Sequence, residues 1–124
     1  MNVVDSTGWL EYFADGPNAD AFSQPLGETE DLFVPTISLY EVFKVVLIQR
    51  EESEGLRAIS IMQKGQLVGL TSTIALHAAK LSVDLSLPMA DSVMLVSARE
   101  RSAILWTQDG DFEGIEDVEF IPKL

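Results

Sequence analysis

Leu87-Pro88-Met89-Ala90-Asp91-Ser92-Val93-Met94-Leu95 is the stretch on which the reading of this chain turns. Pro88 suits the first position of a helix, where its missing N–H removes no hydrogen bond. Asp91 then falls in the first turn, where the positive end of the helix dipole favours an anion. Behind it Val93-Met94-Leu95-Val96-Ser97-Ala98 is apolar almost all round, which predicts a buried helix. A carboxylate at the mouth of a buried helix is either a local dipole partner or one wall of a site. Three more acids in matching places, Asp5, Glu41 and Asp109, weigh for the wall.

Outward from this helix, short apolar runs alternate with helical patterns. Val3-Val4 reads as a first strand, and Asp5-Ser6-Thr7 as the cap of a helix carrying Trp9, Leu10, Tyr12 and Phe13. Gly16-Pro17 ends that helix; a short second one is predicted from Asn18 to Gln24, stopped by Pro25 and Gly27. Leu32-Phe33-Val34-Pro35 is the next strand. Thr36 or Ser38 is then placed as the cap of a long helix reaching about Glu52, with Gly55 interrupting the pattern before Leu56, Ile59, Ile61 and Met62. Leu67-Val68-Gly69-Leu70 reads as a third strand, and Ser72 or Thr73 opens the helix holding Ile74, Leu76, Ala78, Ala79 and Leu81. Ala103-Ile104-Leu105-Trp106 and Val118-Glu119-Phe120-Ile121 are the fourth and fifth strands.

This alternation specifies an α/β domain whose parallel sheet is sandwiched between helices. In such sheets the functional crevice lies beyond the carboxyl ends of the strands. Asp5 follows strand one directly and Asp109 lies three residues past Trp106. Glu41 is early in the helix after strand two, and Asp91 early in the helix before strand four. All four can reach one end of the sheet. Each also has a local role open to it: Asp5 as a helix cap, Asp91 as a dipole partner, Asp109-Gly110 as a turn, Glu41 on a solvated face. Glu41 is flanked by Leu39, Tyr40, Val42 and Phe43, and Asp91 by Met89, Ala90, Val93 and Met94. Carboxylates among apolar neighbours are costly unless paired or bound to a cation.

The bulk composition narrows the chemistry. With 124 residues, 47% hydrophobic, the chain suits one domain over residues 1–124. No apolar run is long enough for a bilayer and no cleavable signal is read at the start, so the expected setting is cytoplasmic. There is no cysteine and one histidine, which removes disulfides and thiolate metal sites. Net charge is −12, against binding nucleic acid by charge alone. It is compatible with an acidic metal site that meets phosphate through a bridging cation, and with attraction to a basic protein partner. Several carboxylates at one locus repel each other unless a divalent ion sits among them. Oxygen-only ligands select a hard ion, Mg²⁺ or Mn²⁺, over zinc. Two such ions about 4 Å apart would serve the attacking and leaving oxygens of phosphodiester hydrolysis.

Four segments carry a family resemblance. Val3-Val4-Asp5-Ser6-Thr7-Gly8-Trp9-Leu10, Ile37-Ser38-Leu39-Tyr40-Glu41-Val42, Leu87-Pro88-Met89-Ala90-Asp91-Ser92 and Trp106-Thr107-Gln108-Asp109-Gly110-Asp111-Phe112 resemble the ordered motifs of PIN-domain ribonucleases, closest to the VapC-like toxins of toxin–antitoxin pairs. The resemblance implies a small parallel sheet of about five strands in the order 3-2-1-4-5 and a Mg²⁺-dependent endoribonuclease acting on RNA. By position Asp5, Glu41, Asp91 and Asp109 correspond to the acidic quartet. Asp111 is placed as an auxiliary ligand, and Thr107 or Ser6 as a group orienting water or a carboxylate. The resemblance further implies a homodimer, and an antitoxin whose basic C-terminal segment enters the site.

Other readings fit less well. A phospho-acceptor receiver domain needs a phosphorylatable Asp ending strand three, where this chain has Leu70-Thr71. A non-catalytic module keeping the fold for a partner has no need of a full quartet, and a PIN nuclease of RNA maturation or decay is the nearest alternative to a toxin. Lys44, one turn from Glu41, is assigned to a surface ion pair, and His77 to a packed or exposed helical position. Met62, Met89 and Met94 are assigned to core or dimer contacts.

Overall fold

Period-two alternation in the first strand sets up both halves of the core. In a computed structural model, which describes all residues Met1–Leu124, β1 (Asn2–Val4) turns Val3 to one face and Val4 to the other. Around it stand β2 (Leu32–Pro35), β3 (Gln66–Val68), β4 (Ile104–Thr107) and β5 (Val118–Phe120). All pairings are parallel, and the five-stranded sheet has the expected order 3-2-1-4-5.

Val4 packs with Trp9, Phe22, Leu32, Val34 and Met62. These come from or lie under α1 (Ser6–Phe13), α2 (Ala19–Gly27), α3 (Thr36–Gln49) and α4 (Glu52–Met62). Val3 packs with Phe33, Ile74, Val93, Leu95 and Leu105, under α5 (Ser72–Leu85) and α6 (Met89–Arg99). Residues 92–98 of α6 are all buried, Ser92 and Ser97 included, as expected of a helix that is apolar almost all round. No single helix is long and apolar enough to cross a membrane.

Several boundaries differ from the sequence expectation. Pro25 lies inside α2 instead of stopping it; its ring is buried, and the helix forgoes one bond in its last turns. The long third helix ends at Gln49, because Arg50 and Glu51 are extended and Glu52 and Glu54 begin a new first turn. Gly55 is not a breaker: it lies within α4, where an added Cβ would stand 2.8 Å from the Phe43 ring, so it is a close-packing position against α3. Neither Thr36 nor Ser38 caps α3; Ser38 instead donates to the Pro35 carbonyl at 2.6 Å. Thr71 caps α5 through the Ile74 N–H, ahead of the Ser72 or Thr73 expected. Pro88 is the residue before α6 and not its first helical one. Met62 and Met94 are buried as expected, but Met89 is 73% exposed.

The packing of α1 onto β1 gives a direct test. A Cβ built on Gly8 would meet Val4 Cγ1 at 2.5 Å and the Phe22 ring at 2.8 Å. Gly8→Ala should destabilise the domain by about 1–3 kcal/mol through overpacking. Gly27→Ala, which meets nothing within 4 Å, should be close to neutral. Urea denaturation of the two variants measures the contrast; equal midpoints would show that α1 does not sit this tightly.

Candidate active site

The carboxyl ends of β1 and β4 lie side by side, with Asp5 N–H donating to the Trp106 carbonyl at 3.0 Å. Asp5 leaves β1 as the N-cap of α1 and accepts from the Gly8 N–H at 3.0 Å through Oδ1. The same oxygen takes the Thr7 hydroxyl at 2.6 Å, and Oδ2 takes the Thr107 hydroxyl at 2.5 Å. Asp5 is 3% exposed. Burial pushes its carboxyl up to about 6, against the opposing pull of the Thr107, Thr7 and Gly8 hydrogen bonds.

Asp91 stands in the first turn of α6, half-buried. It is pushed up to about 7, first by burial and then by the charges of Asp109, Asp5, Glu41 and Asp111. No hydrogen-bond donor offsets them. Asp5 and Asp109 follow β1 and β4, Glu41 is bonded by Ser6, and Asp91 and Asp111 lie beside Asp109, so the five acids share one end of the sheet.

Asp109 follows β4 and caps the short turn Gly110–Phe112 by accepting from the Asp111 N–H at 2.9 Å. Its own N–H donates to Thr107 Oγ1 at 2.9 Å. Carboxylate oxygens of Asp91, Asp109 and Asp111 lie within 4.8 Å of one another. The tightest group thus contains the exposed Asp111, with Asp5 and Glu41 beside it and outside it. Glu41, in the second turn of α3, accepts from the Ser6 hydroxyl at 2.6 Å.

Ser6 and Thr107 both touch a carboxylate. Thr7 was not singled out from the sequence, yet it touches Asp5 and also accepts from the Gln108 N–H at 3.3 Å. The signal was present in the run Asp5-Ser6-Thr7, since a hydroxyl two residues after a capping Asp can turn back onto it. Lys44 makes no ion pair with Glu41; it is exposed, its ammonium 5.7 Å from the Tyr40 ring centre. His77 is exposed on α5 and hydrogen-bonds Glu100 just past the far end of α6.

These donors fit a hard divalent cation. They are all carboxylate and hydroxyl oxygens, and Asp91 is a half-buried acid with repelling neighbours and no donor of its own. Asp91, Asp109 and Asp111 are spaced to share one ion, while Asp5 has both oxygens already engaged by protein donors.

Comparison with known proteins agrees with this architecture. The sequence profile of the PIN domain matches residues 3–118. A toxin–antitoxin complex from Klebsiella pneumoniae superimposes with a TM-score of 0.85 at 18% identity over 100% of both chains. VapC20 of Mycobacterium tuberculosis, a sarcin–ricin loop cleaving toxin, gives 0.79 at 15% identity over 98% of this chain and 100% of that one. VapBC2 of Rickettsia felis, bound to a DNA fragment from its promoter, gives 0.74 at 12% identity over 98% and 97%. A search of curated protein sequences returned no match.

The raised acids fix the sign of a pH dependence. Asp91 has an ordinary value of 3.8 and about 7 in the fold, so folding favours its neutral form. That contribution is complete below pH 3.8 and is lost as pH rises through about 7. In metal-free buffer the melting temperature should therefore fall across this window, and Asp91→Asn should flatten the fall. An unchanged slope in the variant would show that Asp91 is not under strain from its neighbours.

Proposed function

The chain belongs to the PIN domain family, and from that premise we propose that it is a cytoplasmic, divalent-metal-dependent endoribonuclease acting as the toxin of a toxin–antitoxin pair. The observation that carries this reading is Asp91, a half-buried acid whose carboxylate lies within 4.8 Å of those of Asp109 and Asp111, and whose carboxyl is pushed up by burial first and by the neighbouring acids second. A cluster of that kind is unfavourable when empty and favourable around a cation.

Asp91, Asp109 and Asp111 would hold Mg²⁺ or Mn²⁺, with Asp5 and Glu41 as further acids of the catalytic set. Such a cation supplies Lewis-acid stabilisation of the charge that develops on a phosphodiester. The chain's own groups do the rest. Thr7 and Thr107 hold the Asp5 carboxylate, Ser6 orients Glu41, and the Thr107 hydroxyl sets the backbone of Asp109. Much of the positive charge is internally engaged, in Arg50–Glu54, Lys80–Asp84 and Arg99–Asp117. RNA would therefore be met at the crevice, where a bound cation would offset the charge of Asp91, Asp109 and Asp111, and not along a basic groove.

The neighbouring folds include toxins named for toxin–antitoxin assemblies, which supports an antitoxin partner here. With a net charge of −12, the partner segment that enters the crevice is basic. Between α3 and α4 lies an apolar trough lined by Leu39, Phe43, Leu47, Ile48, Leu56 and Ile59, with Ile48 75% and Leu56 56% exposed. That surface supports a homodimer or antitoxin contact.

The test is cleavage of a defined RNA panel by purified protein. Chelation with EDTA should abolish cleavage and added Mg²⁺ or Mn²⁺ should restore it. Asp91→Asn should lose activity by orders of magnitude while the metal-free domain melts no lower than wild type, because one member of a repelling cluster is gone. Cleavage that survives chelation, or an Asp91→Asn protein that still cuts, would sink the proposal.

A further inference from the structure

Away from the carboxylates, the buried polar contact that ties most of the chain together is made by Asn18. It lies in the turn between α1 and α2 and is 5% exposed. Its Nδ2 donates to Gln108 Oε1 at 3.1 Å and to the Pro122 carbonyl at 3.0 Å. Its backbone N–H donates to Glu11 Oε2 at 2.7 Å, and its carbonyl accepts from the Phe22 N–H at 3.2 Å. Asn18 precedes α2, where an asparagine ordinarily caps the helix, yet its side chain makes no capping bond. Its amide is directed instead at segments 90 and 104 residues away.

Gln108 stands between Thr107 and Asp109 and is itself 8% exposed. On the crevice side, its N–H donates to Thr7, while its neighbour Thr107 grips Asp5 and accepts the Asp109 N–H. On the far side, Asn18 holds its side chain and the Pro122 carbonyl together. The segment containing Pro122 also returns to β4, because Ile121 N–H donates to the Thr107 carbonyl at 2.8 Å. Two buried amides cost free energy unless they are satisfied, and apolar residues could fill the same space. What hydrogen bonds add is direction: an apolar contact tolerates a small slide of the 107–109 segment, and these bonds do not.

We infer that Asn18 is a positioning residue of the acidic crevice, which through Gln108 fixes the Thr107–Asp109 segment against Asp5. The inference rests on the metal-dependent nuclease reading above. It assigns a role to the α1–α2 turn, which carries none of the carboxylates.

The experiment is calorimetric titration of Mn²⁺ into the full chain, well below its melting temperature. Asn18→Ala and Gln108→Met should each weaken binding by about 10-fold, the scale of an outer-shell loss at a metal site. The double variant should be no weaker than either single one, because the pair acts as a unit. In RNA cleavage the loss should fall on kcat, with KM little changed. Asn2→Ala, at the amino end of β1, removes the Oδ1 that accepts the Trp106 Nε1–H at 2.9 Å and serves as the structural control. It should lower the melting temperature and leave Mn²⁺ affinity unchanged. If Asn18→Ala does not fold, Gln108→Met, which nearly keeps its side-chain volume, carries the comparison. Wild-type Mn²⁺ affinity in both variants, alongside lost affinity in Asp91→Asn, would overturn the role of Asn18 and leave the nuclease reading standing. Equal Mn²⁺ binding by wild type and Asp91→Asn would overturn both.

Discussion

The structure depends on keeping a buried carboxylate at the junction of β1 and β4. Asp5 is 3% exposed, and ionising it there would be prohibitive without partners. Three donors answer that cost: the Gly8 N–H and the Thr7 and Thr107 hydroxyls. Each ties the acid to a different piece of backbone. Gly8 lies in the first turn of α1 over the core, Thr7 beside it reaches across to the Gln108 N–H, and Thr107 ends β4. The central strand pair, the first helix and the turn bearing Asp109 are thereby fixed by one side chain. Even so, its pKa remains raised, so burial outweighs the bonds.

The local roles of these acids are compatible with the catalytic roles proposed for them. Asp5 does cap α1, Asp109 does cap the turn after β4, and Asp91 does sit in the first turn of α6. The positive ends of α1 and α6 tolerate negative charge, and parallel β-α connections gather such ends at one edge of the sheet. A cluster of acids can be assembled there with part of its repulsion already offset by backbone N–H groups. Asp91 is where that offset fails, since its dipole position supplies no direct donor and it faces four other acids.

Much of this was legible from residues alone, because strand periodicity and capping are local. Val3 and Val4 on opposite faces, the buried α6 and the carboxyl-end placement of Asp5 and Asp109 all follow from spacing. The errors fall where tertiary contact overrides local preference. Gly55 looked like a break because its missing side chain, which makes room for Phe43, cannot be seen without α3 beside α4. Lys44 looked like a partner for Glu41, but Ser6 occupies one oxygen of that carboxylate and the ammonium lies over Tyr40. The sequence names Asp111 among the acids of the site, but not which of those acids lie nearest one another. Asp111 joins Asp91 and Asp109 because Asp109 caps the turn containing it, and turn geometry decides which carboxylates converge.

Charge is the feature that separates this chain from a simple nucleic-acid binder. Twenty acids stand against eight bases, and three of those bases pair with acids while two more lie against the Tyr40 and Phe33 rings. At physiological ionic strength the field of exposed charges fades over about 8 Å. On the proposed function, the general acidity would act weakly on a polyanion at a distance, and strongly only where its phosphate would enter the crevice. There the repulsion is greatest and a cation relieves it most, so the same five carboxylates that oppose a bare phosphate would make approach conditional on the ion. Under the proposed function, selectivity for the loaded state would then need no basic groove. It would follow from how tightly the acids are held together.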